Sequence, residues 1–229
     1  MPDHGSSASL TAMRATGRHG WLPRALGAGL AIMITGLLSR WMLATSPALP
    51  WLMASMGASA VLVFVLPASP LAQPWPVMGG HLIAASTGMI MHALVPLPWL
   101  AGALAVGGAV AAMSVARCLH PPAGGTALLT ALPAPAVVAA GPAFLLTPLL
   151  LNVVILLAVG FTWNRLTGHS YPHRPAPIAA PQNWVGHIED QDVDAVLADW
   201  DELLDISRDD LLALIHAVEA KVRDRAGIR

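Results

Sequence analysis

Long apolar runs alternate with short polar breaks along this chain, and the runs are too continuous to form the surface of a water-soluble domain. The first lies between Arg24 and Arg40, bracketed by Trp21 and Trp41. It is short for a hydrocarbon core of about 30 Å, yet both arginines can snorkel and both tryptophans suit an interface. A second run starts near Trp51, reaches Leu66 and breaks in PASPLAQPWP, and a third extends from about Val77 to Leu94, ending at Pro96 and Pro98. A fourth covers Trp99 to Ala116 and is closed by Arg117. A fifth begins at Ala123 and ends near Leu132, and a sixth covers Phe144 to Trp163, closed by Arg165. The pattern predicts an all-α, polytopic membrane bundle of about six segments, because only helices satisfy their own backbone groups in lipid without closing a barrel.

Segments two and five are short, flanked by proline and rich in small residues. GASAVL at 57–62 parallels GGTALL at 124–129, so that Gly57 aligns with Gly124 and Ser59 with Thr126. The matched runs fall at corresponding places in two successive three-segment halves, whose first segments close on Arg40 and Arg117. An odd number of crossings per half predicts two inverted repeats. Interrupted segments at matching positions of such halves point to a binding site near the midplane. Small residues also let membrane helices pack closely, and the sequence leaves both uses open.

Beyond the bundle the pattern changes. Residues 169–188 form a Pro-rich linker, YPHRPAPIAAPQ at its centre, too broken for helix. Then Val193, Val196, Leu197, Trp200, Leu203 and Leu204 recur at spacings of three and four, which predicts an amphipathic helix. Ser207 with Asp210 reads as the cap of a second helix carrying Leu211, Leu214, Ile215, Val218 and Val222. The expected organisation is a basic arm at 1–20, a membrane domain at 21–168, the linker, and an acidic helical hairpin at 189–226. The arm lacks the cleavage pattern of a secretory signal.

Composition sharpens the picture. The 229 residues are 55% hydrophobic and 11% charged, with a mean hydropathy of +0.63. Asp3 stands alone, and every other Asp or Glu lies between Glu189 and Asp224. The body holds no carboxylate and no lysine, only arginines and histidines. Placing Arg14, Arg18, Arg24, Arg117, Arg165 and Arg174 inside and Arg40 outside puts both termini in the cytoplasm of an inner-membrane protein. A body without acids disfavours a cation carrier or proton pump built on Asp or Glu. No nucleophile–base spacing suggests an enzyme, no cofactor is expected, and nothing suggests nucleic acid as a partner. The single Cys118 excludes an internal disulfide.

The candidate substrate-binding residues are Gly57, Ala58, Ser59, His81, His120, Gly124, Gly125, Thr126 and Asn152. The start of a short helix presents backbone N–H groups at the positive end of its dipole, where an anion is held without a cationic side chain. Ser59 and Thr126 add hydroxyl donors. His81 and His120 sit at segment boundaries, where they either cap backbone or exchange protons near neutral pH. Asn152 within the sixth segment is either interhelical glue or pore lining. No second His, Cys or carboxylate stands at metal-ligand spacing within the body, so no metal is expected.

The segment HPPAGGTALL at 120–129 resembles the signature of the HPP family of integral membrane proteins. SMGASAVLVF (55–64), SPLAQPWPVMGGH (69–81) and the NRL…YP closure at 164–172 are similar to that family too. The resemblance implies a membrane domain usually described with four helices. It also implies, from plant members associated with nitrite transport into chloroplasts, a small inorganic anion such as nitrite as the cargo. Some bacterial members continue into a pair of CBS domains, and this chain is expected to lack them. The leading expectation is a permease or channel for such an anion in the lipid bilayer. The alternative is a membrane scaffold or sensor whose acidic residues 189–226 dock a protein partner, and the apolar body leaves room for a homo-oligomer.

Overall fold

The computed structural model describes residues 21–43, 50–174, 188–199 and 206–226, so the expected basic arm at 1–20 and the linker residues 175–187 lie outside it. The described residues are helical throughout, without strands. Helix α1 covers Trp21–Met42, α2 Ser55–Val65, α3 Pro74–Leu94, α4 Pro98–Val115, α5 Ala123–Ala131, α6 Pro135–Ala140 and α7 Leu151–Leu166. Proline at the first helical positions starts α3, α4 and α6, where its missing N–H costs nothing.

Four apolar stretches are long enough to cross a bilayer: Trp21–Met42, Pro74–Leu94, Pro98–Val115 and Pro135–Leu166. At 1.5 Å per residue, the eleven residues of α2 and nine of α5 reach roughly half of a ~30 Å core. The family's four helices and the six sequence segments therefore describe one object: four long stretches with two short helices between them. The last stretch corrects the sequence expectation, since it starts at Pro135 instead of Phe144. Its prolines and Gly141 suggest a loop, but Pro135 opens α6 and Gly141 turns the chain at φ 51° into a 3-10 turn over Gly141–Leu145. A wider turn over Leu146–Leu150 follows, broken at Thr147 (φ −137°, ψ 121°), and α7 continues from there.

Helix α1 packs against α2 and α7, and α4 packs correspondingly against α5 and α3. The short helices also end alike, with Leu66 at φ −125°, ψ 55° and Leu132 at φ −120°, ψ 56°. One buried apolar cluster gathers Met53, Met56, Val63 and Phe64 with Phe144, Leu149 and Leu156, and a second joins Ala84, Ala105 and Ala109 to Ala123 and Ala127. Large apolar side chains such as Leu37, Ile90, Trp99 and Val154 point outward. That surface suits lipid, and the protein is a multi-pass membrane protein.

The expected hairpin comprises α8 (Asp190–Asp199) and α9 (Arg208–Ala226); Trp200, Leu203 and Leu204 lie outside the described residues. Arg208 grips Asp194 through both fork nitrogens at 2.5 and 2.6 Å, on an exposed face where the pair adds little. The buried face of α9 differs from the expected stripe. Leu212 and Glu219 are buried while Leu214 and Val218 are exposed, because the Glu219 carboxylate turns inward to accept the Ile188 N–H at 2.7 Å.

The hairpin is tied to the body. Ser207 accepts the Asp210 N–H at 3.1 Å, the expected cap, and Asp210 also meets His173 Nε2 at 2.9 Å. Burial opposes ionisation of Asp210, but hydrogen bonds from Ser207 and His173 outweigh it and hold the carboxyl below its usual range. A carboxyl depressed on folding contributes stability that is present above its unfolded pKa and lost as pH falls through its folded one. Acidification below about pH 4 should therefore free α9, seen as faster amide exchange over 208–226. Asp210→Ala should give the same acceleration at neutral pH.

Candidate functional site

The two short helices meet over α3. Ser55, in the first turn of α2, hydrogen-bonds Thr126 of α5 at 2.9 Å. Thr126 Oγ1 meets His81 Nδ1 of α3 at 2.8 Å, and His81 Nε2 meets Ser59 Oγ of α2 at 2.9 Å. Ser59 Oγ lies 2.9 Å from His120 Nε2, and His120 Nδ1 reaches the Leu71 carbonyl at 2.8 Å. One continuous chain, Ser55–Thr126–His81–Ser59–His120–Leu71, thus crosses the centre of the bundle. Ser59, His81, His120 and Thr126 are wholly buried, whereas Ser55 and Leu71 at its two ends are half-buried. The two imidazoles stand edge to face with centroids 5.1 Å apart.

Local sequence explains how His120 gets there. Helix α4 ends at Val115, and just beyond it Arg117, at a left-handed φ of 51°, lets Cys118 N–H close back on the Met113 carbonyl at 2.9 Å. This is the position where a helix end usually takes glycine. The loop then presses on α3 where only glycine fits: a Cβ at Gly80 would lie 2.7 Å from His120 Cβ and 3.1 Å from the Cys118 carbonyl. Gly80 therefore permits the approach that puts His120 beside its neighbour His81.

Of the nine predicted residues, the structure gathers Ser59, His81, His120 and Thr126 into the chain. Gly57, Ala58 and Gly125 lie on the exposed side of the short helices and Gly124 is half-buried. A Cβ on Gly57 or Gly124 would meet no described residue within 4 Å. Close helix packing does not explain those two glycines, whereas it does explain Gly80, Gly88 and Gly160. Asn152 goes elsewhere. Its carbonyl accepts the Met53 N–H at 3.1 Å, and its amide donates to Ser39 Oγ at 2.9 Å and the Trp51 carbonyl at 3.1 Å. Asn164 likewise joins α7 to the Val63 carbonyl of α2 at 3.1 Å.

The backbone amides differ from expectation. Met56 and Gly57 donate to carbonyls three residues back at 3.0 and 3.1 Å, as do Ala123, Gly124 and Gly125 at 2.9–3.1 Å. Pro121 and Pro122 carry no N–H at all. The donors concentrated here are side chains, with the helix dipoles behind them. Ser55, absent from the sequence candidates, was legible only as the first residue of SMGASAVLVF. Gln73 braces its loop by donating to the Pro67 and Ser69 carbonyls at 2.9 and 2.8 Å.

A family model described as "HPP, transmembrane region" matches residues 13–172. The chain belongs to the HPP transmembrane family. The HPP tripeptide itself is His120–Pro122, so it supplies one imidazole of the buried chain and the start of α5. The HPP match ends at Pro172 and leaves the hairpin outside. Two transmembrane proteins of Dictyostelium discoideum are similar to it. One is 45% identical over 83 residues, 34% of this chain and 27% of that protein; the other is 34% identical over 128 residues, 53% and 44% respectively. The chain thus spans less than half the length of either relative. No solved structure matches.

Proposed function

We propose that this protein is a permease or channel for a small inorganic anion of the nitrite class, with both termini on the cytoplasmic side of an inner membrane. The observation that carries this reading is the buried hydroxyl–imidazole chain where two short helices meet, in a membrane body without a carboxylate. An anion leaving water needs donors to replace its hydration. The hydroxyl of Ser55, half-buried at one end of the chain, supplies one by turning from Thr126, and no nearby acid repels the charge. The open ground beside Gly57, Gly124 and Gly125 gives the anion a way to Ser55, since Gly125 flanks Ser55 at 3.7 Å from its Cβ position. The matched packing of α1 on α2 and α7 and of α4 on α5 and α3 supports two inverted halves around this site.

The test is flux. Purified protein in liposomes is expected to move nitrite or nitrate above protein-free vesicles, and equal rates would remove the substrate class. A Cβ at Gly124 meets open ground, so Gly124→Leu should leave a folded protein with at least tenfold lower flux. Undiminished flux would instead place the path away from the short helices.

A further inference from the structure

The hydrogen bonds of the buried chain fix where its protons sit. The Leu71 carbonyl only accepts, so a neutral His120 carries its proton on Nδ1 and its Nε2 accepts from Ser59. Ser59 has one proton, so with that proton spent it accepts from His81 Nε2. His81 Nδ1 then accepts from Thr126, and Thr126 accepts from Ser55. Every hydroxyl and ring points the same way, from Ser55 toward Leu71.

Ser59 has a second acceptor, the Ser55 carbonyl at 3.1 Å. When its proton swings there, Ser59 Oγ takes donations from both His81 Nε2 and His120 Nε2. His120 then holds a proton on each ring nitrogen, and no hydrogen bond in the chain has been lost. The cluster therefore has room for one more proton than its neutral form carries. Among the described residues, the other titratable groups packed near it are Cys118, beside Gly79 on α3, and Tyr171, which donates to the Ala72 carbonyl at 2.8 Å. Neither enters the chain, and no carboxylate or lysine faces it from α2, α3 or α5.

We propose that Ser55–Thr126–His81–Ser59–His120 is a proton path with a single-proton store at His120, so that the anion crosses together with a proton. This rests on the anion reading for its cargo, but the path itself does not. The proton enters from water at the half-buried Ser55 end; because the Leu71 carbonyl cannot pass a proton on, His120 releases it by turning its Nδ1–H from that half-buried carbonyl to water, so nothing is consumed. Each passage reverses the hydroxyls and ring tautomers, which must turn back before the next. Carrying one proton with a monovalent anion makes the buried load neutral, which removes most of the cost of taking either charge into a low-dielectric site.

The experiment uses the full chain in liposomes loaded with a pH-sensitive dye, with nitrite outside. Protons and nitrite are counted in the same vesicles, and a potassium diffusion potential drives protons in a second set without nitrite. Wild type is expected to move about one proton per nitrite. Vesicles at equal internal and external pH with a fixed potential should show nitrite flux that is insensitive to the sign of that potential. Ser59→Ala and His120→Gln should lower the proton-to-nitrite ratio several-fold, a quantity that mere loss of folded protein leaves unchanged. Nitrite flux with no proton movement overturns the proposal and leaves the permease reading intact. Potential-driven proton flux that exceeds protein-free vesicles and is lost in Ser59→Ala supports the path even where nitrite does not move. Absence of both fluxes overturns the path and the permease together.

Discussion

Gly88→Ala should prevent recovery of folded protein, while Gly124→Ala should leave folding unchanged. Both glycines lie within helices that form the site, and only Gly124 stood out in the sequence. A Cβ at Gly88 would stand 2.0 Å from Thr130 Oγ1, 2.4 Å from the Ala127 carbonyl and 3.0 Å from the Ala131 nitrogen. Two of those atoms are backbone of α5, so no rotamer change relieves the clash and the two helices must part. Overpacking a tight core typically costs about 1–3 kcal/mol, and a clash with backbone belongs at or above the top of that range. Parting α3 from α5 also separates His81 from Thr126, now 2.8 Å apart, so whatever protein survives should be inactive. The measurement is the monodisperse fraction in size exclusion and the thermal midpoint in detergent. Thr130→Ala removes the nearest atom and should restore part of the loss, leaving the carbonyl clash. A Gly88→Ala protein as stable as wild type would show that α3 and α5 do not cross this closely.

The apolar runs, their proline stops and the capping of α9 were legible because each depends on neighbours within a turn or two. The pairing of GASAVL with GGTALL was legible for the same reason, and it led to Ser59 and Thr126. What the sequence could not convey was that His81 and His120, separated by α4, share one serine. That contact depends on Gly80 admitting the Cys118–His120 loop and on Arg117 accepting a left-handed turn, neither of which leaves a periodic signal. The expectation of free backbone amides at the short-helix starts failed for a local reason. Tight three-residue turns satisfy them, and two prolines have none to offer. The start of the last stretch was misplaced because the proline at 135 and the glycine at 141 carry the punctuation of a loop, although one opens a helix and the other turns between two helical pieces. Tyr171 was assigned to a free linker, yet it is buried against the body with its hydroxyl on Ala72.

Asn152→Ala should be the most damaging single truncation in the bundle that touches no residue of the buried chain. The side chain uses three hydrogen bonds to hold the segment before α2: one from the Met53 N–H, one to the Trp51 carbonyl and one to Ser39 on α1. Removing it leaves the buried Met53 N–H and Ser39 hydroxyl, and the part-buried Trp51 carbonyl, without that partner. Orphaning a buried donor or acceptor costs about 1–3 kcal/mol each, so a loss of roughly 2–5 kcal/mol is expected after partial relaxation. Asn152→Asp tests the cause. An aspartate keeps the shape and can still accept from Met53 and Ser39, but it faces the Trp51 carbonyl with no N–H to donate and brings a charge into a body that has no other carboxylate. It should be at least as destabilising as alanine if hydrogen-bond donation matters, and milder if only volume does. Denaturant titration in micelles separates these outcomes. The same variants should lower anion flux in proportion to lost order at the start of α2, because Asn152 positions the turn from which Ser55 reaches Thr126. Flux at the wild-type level in a destabilised Asn152→Ala protein would show that the short helix is held in place by its own packing instead.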